Sequence, residues 1–158
     1  MSLPSETNLG FRLIENPDRE TVIALASAYY REDDNSYGLP RIVTAIDAVL
    51  AGDPLVRLWI IERNQTTIGY LCVCLGFALE AGGREFCIDE IYLLPEHRSR
   101  GIGRKAIAFA EQESRKLGAT RVFLEVETGN QRAHALYQKL GFEAHPRVLM
   151  SKFLSQDT

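Results

Sequence analysis

Residues 88–104 read Ile-Asp-Glu-Ile-Tyr-Leu-Leu-Pro-Glu-His-Arg-Ser-Arg-Gly-Ile-Gly-Arg. An apolar run with two adjacent carboxylates is followed by one proline and then by a basic, glycine-containing loop. An amphipathic helix begins directly after that loop. Glycines let the backbone of such a loop approach a ligand closely. The N–H groups and the dipole of the following helix favour an anion there. The stretch therefore predicts a phosphate-binding loop with carboxylates one strand-length away.

The residues after the loop predict a strand–helix–strand crossover. Apolar residues recur at helical spacing, namely Ile102, Ala106, Phe109, Ala110 and Leu117. Residues 121–127 then alternate as a strand does, and a helix between two strands of one sheet makes those strands parallel. A short helix over 130–140 and a final strand over roughly 147–154 are predicted to complete the chain.

The residues before the loop predict an antiparallel meander. A strand over 9–14, helices over 17–31 and 41–51 and a polar loop over 32–40 come first. Two strands, 56–62 and 67–80, are then separated by a hairpin turn at 63–66, and a second turn at 81–84 leads into the carboxylate strand. The predicted fold is thus a mixed α/β sheet, antiparallel first and with one parallel crossover, in a single domain of residues 1–158.

Composition narrows the classes of function. A net charge of −3 argues against nucleic acid as the main partner. There is no apolar stretch of about 20 residues for a membrane span and no signal peptide pattern, so we expect a cytoplasmic protein without a membrane partner. Three cysteines, Cys72, Cys74 and Cys87, are interpreted as free thiols, the first two on one strand face. We expect no metal, and we interpret the three histidines as surface residues: His97, His134 and His145.

Two segments carry a family resemblance. Arg98-Ser-Arg-Gly101-Ile-Gly103 resembles the acetyl-CoA pyrophosphate loop of the GNAT superfamily of N-acetyltransferases, Arg/Gln-x-x-Gly-x-Gly/Ala, with Ser99 where many members have glycine. Residues 130–142 resemble the second signature of that family, Asn-x-x-Ala-x-x-Leu-Tyr-x-x-x-Gly-Phe. The pattern is loosely similar to the diamine acetyltransferase-like branch. The resemblance implies a GNAT-like fold with splayed central strands and acetyl-CoA as cosubstrate.

The resemblance also implies roles for individual residues. The pyrophosphate would lie against the loop and its backbone N–H groups: Arg98, Ser99, Arg100, Gly101, Ile102, Gly103 and Arg104. The pantetheine arm would pair with the strand edge at Ile91, Tyr92 and Leu93 and contact the second signature at Asn130 and Ala133. Tyr137 would lie near the thioester sulfur.

Acetyl transfer to an amine needs a base and an acid. A lysine-type amine has a pKa of about 10 and must lose a proton before it attacks. Asp89 and Glu90 are the candidate bases. Because adjacent strand residues face opposite sides of a sheet, we expect only one of them to face the acceptor, and we slightly favour Glu90. Tyr137 is the candidate acid for the departing thiolate, in a direct transfer within a ternary complex.

The acceptor is predicted to be a small-molecule or peptide amine. Acidic and aromatic residues lie together between the first two helices, in a region that walls the acceptor site in the family: Tyr29, Tyr30, Glu32, Asp33, Asp34 and Tyr37. Such a surface suits an amine with extra positive charge, although a solvated acidic loop fits the same residues. A homodimer is common in the family.

Two other interpretations are open. Residues 101–106 also fit the Gly-x-Gly-x-x-Ala fingerprint of NAD-binding oxidoreductases, with Glu125 or Glu127 as the ribose ligand. The hairpins before the fingerprint and the six residues 95–100 between it and its strand oppose that interpretation. The second alternative interpretation is a non-catalytic acyl-CoA-binding module. Cys87 as an acyl-enzyme nucleophile is disfavoured, since nothing near it in sequence would lower its pKa.

Overall fold

A computed structural model describes residues 8–34 and 38–154 of the chain. They fall into two compact units, Met1–Leu124 and Glu125–Thr158. The first unit holds, in chain order, β1 (Leu9–Leu13), a 3-10 turn (Asn16–Asp18), α1 (Arg19–Glu32), α2 (Leu39–Leu50), β2 (Val56–Arg63), β3 (Thr66–Ala78), β4 (Gly83–Leu93), a second 3-10 turn (Pro95–His97), α3 (Ile102–Lys116) and β5 (Ala119–Phe123). The second unit holds α4 (Gln131–Lys139).

The sheet confirms the predicted mixed topology. Its strand order is β1-β2-β3-β4-β5, with antiparallel pairs up to β4 and a parallel β4–β5 pair. The predicted hairpin turn between β2 and β3 is present, and Asn64 and Gln65 take its left-handed positions with φ of 51° and 65°. The α3 crossover produces the parallel pair, as the helical spacing after the loop predicted.

The two faces of the sheet are covered by different helices. Buried residues of α1 and α2 pack on one face, against Leu58, Ile60, Tyr70 and Tyr92. The other face lies under α3, where the ring of Phe109 stacks on Phe11 at 4.4 Å and meets Trp59 edge-on at 5.4 Å. We call the face covered by α1 and α2 the α1/α2 face. The polar groups described below lie on it.

A β-bulge interrupts β4 at the two carboxylates. Cys72 of β3 lies opposite Glu90, whereas the next residue, Val73, lies opposite Ile88. Asp89 is therefore an extra residue with no partner in the β3–β4 register. A bulge of this kind breaks the regular alternation of side chains between the two faces.

β4 continues beyond the end of β5. Their parallel pairing runs from Arg84–Ala119 to Cys87–Phe123 and goes no further in the described residues. The predicted strand over 121–127 accordingly starts earlier and ends at Phe123. In the described residues the β5 side of β4 therefore has no strand partner beyond Cys87, as the resemblance to a fold with splayed central strands implies.

The prediction of a final strand over 147–154 is wrong. Those residues have no regular secondary structure, and their large apolar side chains are exposed: Val148, Leu149, Met150, Phe153 and Leu154. An alternating sequence forms a strand only beside an edge that pairs with it. In the described residues of the second unit, α4 is the one regular element, so that unit supplies no such edge.

Candidate active site

Glu90 is held by two phenols on the α1/α2 face. The Tyr70 hydroxyl donates to Glu90 Oε2 at 2.8 Å, and the Tyr30 hydroxyl, from α1, donates to Oε1. Burial raises the pKa of Glu90, the two phenol hydrogen bonds oppose that rise, and the neighbouring Asp89 charge adds to it. The same burial, together with Glu90, raises the pKa of both tyrosines, so they remain hydrogen-bond donors.

Asp89 has a different environment one residue away. Its side chain keeps an exposed edge, and its carboxylate hydrogen-bonds to Cys74. The protein packed around the carboxyl raises the pKa of Asp89, and the hydrogen bond to Cys74 partly offsets this. Two adjacent carboxyls thus have raised pKa values, one tied between tyrosines and the other open to solvent.

The expectation that only one carboxylate faces the acceptor side is wrong. Cys72 lies opposite Glu90 in the β3–β4 register. The sulfur atoms of Cys72 and Cys74 and a carboxylate oxygen of Asp89 all lie within 4.8 Å of one another. Asp89 and Glu90 therefore both reach the α1/α2 face. The bulge is the reason, because the extra residue takes Asp89 out of the alternation that the sequence argument assumed.

Glu32, the last residue of α1, contacts the basic loop. Arg98 donates to Glu32 Oε2 at 2.7 Å and to the Leu93 carbonyl at 2.8 Å, and its guanidinium lies 5.3 Å from the centre of the Tyr92 ring. Tyr92 donates to the other Glu32 oxygen at 3.0 Å. Arg98 was expected to add charge for a phosphate, but in the structure this guanidinium is paired with a carboxylate. Tyr37, expected beside these groups, lies outside the described residues.

The loop before α3 has the geometry of an anion site. Ser99 and Gly101 are left-handed, with φ of 61° and 75°, and Gly101 is the N-cap of α3 without a side-chain capping bond. The N–H groups of the first turn have no intrahelical partner in any α-helix. A Cβ on Gly103 would meet nothing within 4 Å. The side chains of Arg100 and Arg104 are exposed at the same end.

The edge of β4 at Ile91–Leu93 adjoins this loop. These residues pair with β3, from Leu71–Ile91 to Gly69–Leu93. On the β5 side they have no strand partner in the part of the chain that is described, since the parallel pairing ends at Cys87. Main-chain groups on that side can accept an extended ligand in the way a sheet edge accepts a strand.

The second unit holds the other predicted site residues on or beside α4. Asn130 is the N-cap, and its Oδ1 accepts from the Ala133 N–H at 3.1 Å. Tyr137 is half-buried and its ring meets Phe142 at 5.9 Å. Burial raises the pKa of Tyr137. Asn130 and Ala133 thus have a local structural role in addition to any ligand contact.

Sequence reasoning missed a hydrogen-bond partner of Glu90 and the partial burial of two histidine rings. Tyr70 was not singled out, although its position on a strand beside the carboxylate strand was a usable signal. His97 and His134, interpreted as surface residues, each have a ring nitrogen buried without a hydrogen-bond partner, and only His145 is exposed as expected. These ring nitrogens are buried because of packing around the second 3-10 turn and around α4. The spacing of residues in the sequence does not show such packing.

Comparison with known proteins identifies the family. The model of the acetyltransferase (GNAT) family matches residues 19–142. The chain belongs to that family. It is 30% identical over 91 residues to an aminoalkylphosphonate N-acetyltransferase of Salmonella typhimurium, a match that covers 58% of this chain and 59% of the relative.

Two solved structures extend the comparison of the fold. An integron cassette protein from the mobile metagenome of Cole Harbour Salt Marsh has 26% identity and a TM-score of 0.78 over 93% of this chain and 91% of its own. Aminoglycoside N-acetyltransferase AAC(6')-Iy, solved in complex with CoA, has 17% identity and a TM-score of 0.79 over 96% of this chain and 99% of its own. The GNAT resemblance and the fold class are confirmed. The chain spans about three-fifths of the curated relative's length.

None of the helices in the described ranges 8–34 and 38–154 has the length and apolarity needed to cross a membrane.

Proposed function

We propose that this protein transfers the acetyl group of acetyl-CoA to an amine, by direct attack within a ternary complex. One observation carries the proposal: an uncapped helix N-terminus behind a left-handed, basic loop adjoins a β4 edge that lacks a partner on its β5 side. The loop with its helix N-terminus suits a pyrophosphate, and the β4 edge suits an extended amide arm of the same ligand. Membership of the acetyltransferase (GNAT) family supports the same cosubstrate, as does the CoA complex of AAC(6')-Iy.

The loop binds the pyrophosphate mainly through main-chain N–H groups. Glu32 already neutralises much of the Arg98 charge, so Arg100 and Arg104 are the arginines that face the phosphates. Arg98 instead holds the loop against the C-terminal end of α1. The pantetheine arm pairs with Ile91–Leu93. The family resemblance implies a ligand contact for Asn130, and its Nδ2 group is the one available for it, because its Oδ1 caps α4.

Asp89 is the general base in this proposal, and Glu90 is held beside it by Tyr30 and Tyr70. Both Glu90 oxygens already accept phenol hydrogen bonds, whereas Asp89 is open to solvent and to an incoming ammonium group. A raised pKa makes Asp89 a stronger base than an ordinary aspartate. This choice reverses the slight preference for Glu90 that the alternation argument suggested.

Tyr137 is the general acid for the departing CoA thiolate. Its pKa is raised by burial, so the hydroxyl stays protonated at neutral pH and can donate. The role rests on the family resemblance of residues 130–142 and on this protonation state.

The acceptor is a small amine with additional positive charge. Two carboxyl groups, those of Asp89 and Glu90, lie together on the α1/α2 face. AAC(6')-Iy is an aminoglycoside N-acetyltransferase, and aminoglycosides are polyamines of this charge class.

The first test compares thermal stabilisation by acetyl-CoA, CoA and NADH at equal concentration, followed by a screen of amines. Ligand at about a hundredfold excess over Kd adds about 2.7 kcal/mol to stability. We expect stabilisation by both coenzyme A forms and turnover with polyamines or aminoglycosides. Binding without turnover of any amine would favour an acyl-CoA-binding module, and stabilisation by NADH alone would contradict the cosubstrate.

Replacement of the two carboxylates separates their roles. We expect Asp89→Asn to lower kcat by about 10²–10⁴-fold, the usual contribution of a general base, and Glu90→Gln to lower it less. With the wild type, kcat/KM should fall as the pH drops through the raised pKa of Asp89, because the protonated carboxyl cannot accept a proton. An Asp89→Asn enzyme that keeps the wild-type pH profile would show that another group is the base.

Tyr137→Phe tests the acid. It removes the proton donor but keeps the ring that packs on Phe142, so we expect a lower kcat with little change in the KM for acetyl-CoA. Phe142→Leu serves as the packing control, since it alters the same ring contact and leaves the hydroxyl. Unchanged turnover of Tyr137→Phe at every pH would remove Tyr137 from the mechanism.

A further inference from the structure

Two thiols and a carboxylate converge on the α1/α2 face beside Glu90. Cys72 and Cys74 lie two residues apart on β3, so their side chains share a face. Asp89 comes from the bulge of β4. One ligand atom from each of these residues lies within 4.8 Å of the other two. The sequence spacing did not suggest this set, because its third member comes from the neighbouring strand.

The three groups are already linked by hydrogen bonds. The Cys74 thiol is hydrogen-bonded to both the Cys72 thiol and the Asp89 carboxylate. A cation that replaces the protons of these hydrogen bonds would meet two sulfur atoms and one oxygen atom that lie within 4.8 Å of one another.

We propose that Cys72, Cys74 and Asp89 form a binding site for a thiophilic divalent cation of the zinc class. Two sulfur ligands select zinc-type ions over Mg²⁺ and Ca²⁺, which prefer oxygen. Tetrahedral Zn²⁺ with Zn–S bonds of about 2.3 Å and a Zn–O bond of about 2.1 Å separates its donors by about 3.6–3.8 Å. Small side-chain rotations bring donors within 4.8 Å to that spacing.

The surroundings favour a cation. Glu90, Tyr30 and Tyr70 lie beside the cluster, on β4, α1 and β3, and none of these three residues carries positive charge. Cys72 is buried, Cys74 is half-buried and Asp89 is exposed. The site therefore opens toward solvent on the Asp89 side, where water can take the fourth position of a three-ligand zinc site.

A bound ion would have a consequence for catalysis. It would occupy the Asp89 carboxylate and so inhibit acetyl transfer, an effect that rests on the proposed role of Asp89. The binding site itself does not rest on that role. Metal binding and turnover are therefore to be measured separately.

The test is titration of the reduced full-length protein with Co²⁺, followed by displacement with Zn²⁺. We expect one equivalent of Co²⁺ to produce thiolate-to-cobalt charge-transfer absorption and tetrahedral d–d bands, both abolished by Zn²⁺. Cys74→Ser and Asp89→Asn should each weaken binding by at least about tenfold, and Cys72→Ser/Cys74→Ser should abolish the charge-transfer band.

Cys87→Ser is the matched control. Cys87 lies opposite Cys74 in the β3–β4 register but is outside the three-ligand set, so this variant should bind Co²⁺ as the wild type does. Far-UV circular dichroism and thermal unfolding of each variant separate ligand loss from misfolding. Absence of the charge-transfer band in the folded wild type, its persistence in the double variant, or its loss in Cys87→Ser would each overturn the site.

Discussion

Ser99 occupies a backbone conformation that suits glycine. Its φ of 61° lies in the left-handed region, which costs a residue with a Cβ about 1–2 kcal/mol. In the proposed ligand contact this residue supplies its main-chain N–H, so its left-handed conformation serves the shape of the loop.

Ser99→Gly is expected to raise the free energy of unfolding by about 0.5–1 kcal/mol, the steric relief less the extra chain entropy of glycine, and to keep acetyl-CoA binding. Ser27→Gly, within α1, is the control and should lower stability by about 0.5–1 kcal/mol or more, since it also loses a hydrogen bond to the Ile23 carbonyl. Chemical denaturation measures both. A clear loss of stability in Ser99→Gly would show that the Ser99 side chain outweighs the backbone strain.

The pairing of β3 with β4 depends on a close backbone approach at Gly69. A Cβ at this position would lie 2.0 Å from the Tyr92 carbonyl oxygen, which is backbone and cannot rotate away. Tyr92 belongs to the β4 edge proposed for the pantetheine arm. Gly69 thus links the geometry of one strand to the ligand edge of the next.

Gly69→Ala is expected to destabilise the protein by about 1–3 kcal/mol, as overpacking commonly does, and to weaken acetyl-CoA binding. Gly10→Ala in β1 is the matched control, because a Cβ there meets nothing within 4 Å. Unfolding midpoints and acetyl-CoA titration test both variants. Equal stability of the two would mean that β3 and β4 can move apart at no cost.

Arg12 connects three parts of the first unit. Its guanidinium bonds both oxygens of Asp18, at 2.7 and 2.8 Å, and Glu62 of β2 at 2.8 Å. The hydrogen bond from Arg12 holds the pKa of Asp18 below its ordinary value. The stabilisation is therefore present above the unfolded pKa of about 3.9 and is lost as the pH falls through the lower folded pKa.

Asp18→Asn should cost about 1–2 kcal/mol at pH 7, the range for hydrogen bonds to charged groups at a partly exposed site. The difference from the wild type should shrink as the pH falls from about 3.9 toward the lower folded pKa, because Asp18 of the unfolded state becomes protonated first and unfolding is then favoured. Asp47→Asn removes a partner of Arg19 whose side chain is 48% exposed, against 13% for Asp18, and should change stability little. A wild-type to Asp18→Asn difference that does not vary with pH would contradict this account.

Much of the candidate site could be read from residue order because its determinants are local. The loop before α3 depends on glycines and a helix start within six residues, and the crossover depends on helical spacing between two strands. The carboxylates were found for the same reason, since charges in an apolar strand stand out. Local conformation and hydrophobic period are properties of short stretches, and folding preserves them.

Contacts between distant residues settled the rest. The bulge that turns Asp89 onto the side of Glu90 arises from the β3–β4 register. The Tyr30–Glu90 and Arg98–Glu32 contacts join residues 60 and 66 positions apart. The segment over 147–154 has a strand-like sequence but no partner edge in its own unit. Side-chain direction, charge pairing and strand formation all depend on what lies across the sheet, and neighbours along the chain do not specify it.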